Sequence, residues 1–140
     1  MPSEEMRLPR FASIVALTVL GSLAAACNGT CGDPEDRLVP LSELVCSSTD
    51  AEGVWESHPW PPIVDEECYW LEFRGCSTYE IEHPLGRTPS IAIGYTAFNP
   101  DGEFSTIGSG NSFIVDAASD TTITIRNTQN QLFYLRLVLE

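Results

Sequence analysis

From Cys68 onward, apolar and polar residues alternate with a period of two. Tyr69, Leu71 and Phe73 alternate with Trp70, Glu72 and Arg74, and Tyr79, Ile81 and His83 with Glu80 and Glu82. Ile91, Ile93 and Tyr95 alternate with Ala92, Gly94 and Thr96. Short runs follow at 104–107, 113–115 and 123–125, and then a longer one. In that last run Phe133, Leu135, Leu137 and Leu139 oppose Tyr134, Arg136 and Val138. Period two marks half-buried strands. Stretches of this kind, separated by turn formers, predict an all-β domain: a small antiparallel β-sandwich or open barrel of about seven strands. The turn Asn99-Pro100-Asp101-Gly102 has a glycine available for positive φ. Residues 108–112 read as a flexible hairpin connection. A long apolar strand at an open edge invites aggregation, so the final strand is expected inside a sheet.

Residues 28–67 lack this regularity and are rich in Pro, Asp, Glu, Ser and Cys. Within them, 40–46 (PLSELVC) predicts a short helical turn with proline at its start. Residues 47–62 carry turn formers without alternation and read as loop pinned by disulfides, with room for a short strand around 53–55. The expected single domain is therefore loop-rich over 37–67 and stranded over 68–140.

The amino-terminal end has a different pattern. Arg7 and Arg10 precede an apolar stretch, and Ala24-Ala25-Ala26 stands directly before Cys27. A basic lead, a hydrophobic segment and a small-residue cut site are the parts of a secretory signal. Residues 11–26 fall short of the ~20 residues that a spanning helix needs. With cysteine just after the cut, the segment resembles a bacterial lipoprotein signal. That resemblance implies cleavage after residue 26, a diacylglyceryl group on the Cys27 sulfur and acylation of the new amino terminus. The partner it implies is the lipid bilayer. Asn28, rather than Asp, implies sorting to the outer membrane of the cell envelope. Ordinary signal peptidase, cutting at the same Ala24-x-Ala26 site, would instead release a secreted soluble chain. Residues 27–36 read as a tether.

Five cysteines leave an odd thiol in an exported chain. Lipid on Cys27 leaves Cys31, Cys46, Cys68 and Cys76, an even set for two disulfides in an oxidising compartment. Four cysteines allow three pairings; the expected one closes a hairpin with Cys68 and Cys76 and joins Cys31 to Cys46. There is no C-x-x-C pair, and His58 and His83 do not stand at zinc-ligand offsets from the cysteines, so no metal or other cofactor is expected.

The net charge is −13 and all seven basic residues are arginine. Such a surface repels nucleic acid phosphates, so nucleic acid is not an expected partner. Two motifs remain. Trp55, Trp60 and Trp70 lie near Asp65-Glu66-Glu67. Exposed, they would stack on sugar rings as a glycan-binding platform; buried, they would fill a small core beside the disulfides, which is the expectation. His83-Pro84-Leu85-Gly86-Arg87-Thr88-Pro89 forms an H-x-L-G-x-x-P turn feeding an alternating strand. Over residues 79–139 it resembles small β-sandwich modules at phage tail-fibre ends and in short exported proteins of predatory or gliding bacteria. The resemblance implies a fold, with His83 and Gly86 as architectural turn residues. Nothing in the chain forms a G-x-S-x-G elbow or an aligned calcium loop, and its many acids have no defined scaffold position. No catalytic residue is therefore assigned, and a small hydrolase is the least supported reading. The favoured function is a membrane-anchored structural or interaction module, with an envelope protein or a glycan as its possible partner.

Overall fold

A computed structural model describes Cys31 and residues 34–140. The expected leader, its expected cut site and Cys27 lie outside the described residues. Ten strands build two sheets, and among the described residues there is no α-helix. The strands are β1 (Asp36–Val39), β2 (Ser48–Thr49), β3 (Trp55–Glu56), β4 (Leu71–Phe73), β5 (Ser77–Glu82), β6 (Ala92–Ala97), β7 (Thr106–Ile107), β8 (Ile114–Ala118), β9 (Thr122–Asn127) and β10 (Phe133–Leu139). The smaller sheet runs β1-β5-β9-β8; the larger runs β2-β3-β10-β6-β7, with β4 also paired to β10. All pairings are antiparallel except β1 with β5, which is parallel.

The two sheets share one core, as an open sandwich. Val39, Tyr79, Ile81, Ile123 and Ile125 come from the smaller sheet; Trp55, Leu71, Phe73, Leu135, Leu137 and Leu139 come from the larger. The alternation explains why. Tyr79 opposes Ile125 and Ile81 opposes Ile123, so each pair presents two apolar side chains to the same face. In the larger sheet Leu135, Leu137 and Leu139 oppose Thr96, Gly94 and Ala92. That register turns the small residues of β6 inward, leaving Ile93 and Tyr95 on the outer face. Gly94 is required there, because a side chain would enter the Phe113 ring.

The seven alternating stretches are β4 to β10, and β10 lies inside its sheet, between β6 and the pair β3 and β4. The loop-rich part holds more order than its sequence suggests. It contributes β1, β2 and β3, and a 3₁₀ turn, Leu41–Glu43, follows Pro40. Residues 108–112 are not a hairpin connection. β7 belongs to the larger sheet and β8 to the smaller, so this stretch carries the chain across the sandwich. A 3₁₀ turn at Gly110–Ser112, closed by reciprocal Ser109 and Ser112 contacts, makes the crossing and delivers Phe113 to the core.

The disulfides join Cys31 to Cys76 and Cys46 to Cys68, which corrects the expected pairing. Cys68 and Cys76 flank no hairpin: β4 pairs with β10 in one sheet, whereas β5 pairs with β1 and β9 in the other. The chain between them changes sheet, and Cys76 takes a left-handed backbone (φ 59°) at that corner. The end of the stretch read as a tether, Glu35 and Asp36, is held to the smaller sheet. Cys31 is bridged to Cys76, the Glu35 carbonyl accepts a hydrogen bond from Thr78 N, and Asp36 opens β1.

Candidate functional site

The segment between β3 and β4 crosses the outer face of the larger sheet and covers one cation. Alternation along β10 places Arg136 outward, opposite Tyr95, yet it is fully buried. The Trp60 ring lies over its guanidinium, with 3.8 Å from the carbon to the ring centre, and Tyr95 meets Trp60 edge-on at 4.6 Å. Nε donates to the His58 carbonyl at 2.7 Å. Nη2 stands 2.7 Å from Glu56 Oε2, off the line of a hydrogen bond, and Nη1 has no acceptor among the described residues. A buried charge needs a partner on each side. Here they are a carboxylate, a carbonyl and an aromatic face whose quadrupole attracts cations.

Ser57 and His58 fasten the start of this cover. Ser57 N donates to the Leu137 carbonyl at 3.0 Å, and Ser57 Oγ accepts from Leu137 N at 2.8 Å. The same hydroxyl meets His58 Nδ1 at 2.9 Å. Burial, reinforced by the positive Arg136, lowers the His58 pKa to about 4 and keeps the ring neutral. The ring borders a groove of about 430 Å³ whose walls include Glu67, Glu72, Arg74 and Tyr69. This groove offers charged hydrogen-bonding walls; the hydroxyl nearest the imidazole is buried and already holds a backbone N–H.

His58 carries a testable pH dependence. Its folded pKa of about 4 lies below its ordinary 6.5. The unfolded chain therefore binds the proton first as pH falls. The resulting stability is fully present above pH 6.5 and lost between 6.5 and 4, by about 3 kcal/mol. Urea midpoints of wild type and His58→Gln should converge over that window. Parallel pH profiles for the two proteins would exclude His58 as the titrating group.

The three tryptophans form no common platform. Trp55 is in the core. Trp70 is buried, donating through Nε1 to the Pro59 carbonyl at 3.1 Å and packing its ring on Gly102. Only Trp60 reaches solvent, at 46 % exposure, with one face taken by Arg136. Sequence reasoning missed Arg136 because alternation gives the face of a residue, not what covers that face. The run Ser57-His58-Pro59-Trp60-Pro61-Pro62 was the available signal: an apolar, proline-rich segment long enough to cross a sheet.

His83 closes β5 inside the sandwich. It is buried, its ring centre is 6.4 Å from that of Trp55, and neither ring nitrogen has a partner among the described residues. Burial lowers its pKa, with the nearby backbone of Ser119 and Thr122 pulling the other way. Gly86 takes positive φ (65°) in the turn that follows. No three His, Cys, Asp or Glu side chains gather as metal ligands among the described residues. No family model, curated protein or solved structure matches the chain.

Proposed function

We propose that this chain is an exported lipoprotein, anchored to a bilayer through acyl chains on Cys27, whose β-sandwich serves as a structural or interaction module of the cell envelope. One observation carries the reading. Two disulfides take up all four cysteines from Cys31 onward, so the fifth, Cys27, is the odd thiol directly behind the small-residue cut site. Paired cysteines suit an oxidising compartment. One acyl chain holds a protein marginally, whereas several hold it stably, each buried CH₂ contributing ~0.8 kcal/mol.

Mass spectrometry of the protein from its native host is expected to find residue 27 at the amino terminus, carrying diacylglyceryl and an amide-linked acyl chain. Cys27→Ser should move the protein from the detergent phase to the aqueous phase. A natural product with unmodified Cys27, or with the leader still attached, contradicts the proposal. The second reading, glycan binding, retains Trp60 alone. A glycan array in which wild type and Trp60→Ala behave alike removes it.

A further inference from the structure

The largest exposed apolar side chains on one rim of the sandwich are Phe98, Phe104 and Ile107, at 69, 91 and 62 % exposure. They line a shallow hollow of about 310 Å³ floored by Phe133, whose ring centre is 5.5 Å from that of Phe98. Phe104 is presented by a left-handed backbone (φ 55°), a conformation that a bulky L-residue seldom adopts. The turn is thus strained while it holds a phenyl ring in water.

Connectivity places this hollow beside the point where the chain leaves toward Cys27. Gln129 is part of its wall. The Gln129 carbonyl accepts from Cys76 N at 3.0 Å, Cys76 is bridged to Cys31, and Cys31 Sγ lies 3.7 Å from the Thr128 carbonyl. From Cys31 back to Cys27 the chain spans at most about 14 Å, even fully extended. A bilayer holding Cys27 therefore lies within about 14 Å of Cys31, which itself adjoins Thr128, the residue before Gln129 in the wall of the hollow.

We propose that Phe98, Phe104 and Ile107 seat the domain on the surface of the bilayer that holds its anchor, with their side chains at the boundary between headgroups and acyl chains. The inference rests on the anchored reading above. Amphipathic and aromatic groups at this boundary add apolar burial to an existing lipid anchor. Asp101 and Glu103 flank the rim and the chain carries −13, so the lipid it accepts is zwitterionic rather than anionic.

The test uses mature, lipidated protein in phosphatidylcholine vesicles containing a share of lipid brominated on its acyl chains. In the Phe104→Trp variant, the added indole fluorescence is expected to be quenched at least twofold relative to vesicles without bromine. Replacing Phe98 and Ile107 by Asp in that variant should abolish the quenching, while near-UV circular dichroism stays unchanged. Acylation of Cys27 is checked by mass spectrometry on the same sample. Acylated protein without quenching overturns the docking and leaves the anchor standing; unacylated protein overturns both. A concentration-dependent shift of the added indole without vesicles would assign the patch to a second copy of the chain and overturn the bilayer as its occupant.

Discussion

A chain ending at Tyr134 is expected to be unfolded, with no cooperative thermal transition and no near-UV signal from Trp55 or Tyr79. Residues 135–139 are the part of β10 that pairs with β3 and with most of β6, and Leu135 pairs with Leu71 of β4. Leu135, Leu137 and Leu139 are all essentially inaccessible to solvent. Each contributes about 1.5–3 kcal/mol by burial, against a total stability of order 5–15 kcal/mol for a domain of this size. Removing them also deletes Arg136, which organises the cover over the outer face. A truncated chain that melts at the temperature of the full domain would show β10 to be dispensable.

Reducing both disulfides should come close to the same result. The Cys46–Cys68 bridge closes 22 residues of chain, and it is nested inside the Cys31–Cys76 bridge, which closes 45. With the inner loop closed, the outer one has only about as much free chain left to close, so each bridge contributes about 3 kcal/mol in the chain-entropy model. Together they are comparable to the whole stability of a small domain. Guanidinium titration of the oxidised and reduced protein is expected to show the midpoint fall by more than half. Replacing Cys46 and Cys68 together by Ala should give about half the loss in free energy. Coincident titrations would show the bridges to be ornamental.

The stranded half of the molecule was legible because its burial is simple. Along β5 and β9 every second side chain enters the core, so Tyr79, Ile81, Ile123 and Ile125 announce both strand and face. β1 carries no such signal. Its partner in the sheet is about 40 residues away, Asp36 lying opposite Thr78, and only Val39 is buried. β2 and β3 are two residues each, too short for a period to show. The disulfide pairing was illegible for the same reason: it depends on which sheet each strand joins, a non-local fact. Arg136 shows the limit inside a well-read strand. Its face follows from alternation, whereas its burial depends on Trp60, 76 positions earlier in the chain.

The Cys31–Cys76 bridge has a mechanical consequence. Tension applied at residue 27 reaches Cys31 before it reaches β1, and the covalent link diverts it to Cys76, adjoining Ser77 at the head of β5. β1 then hangs beyond the crosslink as slack, and its ladder to β5 bears no load. A pull at residue 27 strains β5, held on its other side along the full length of β9, and spares the shortest strand of the smaller sheet from being peeled away.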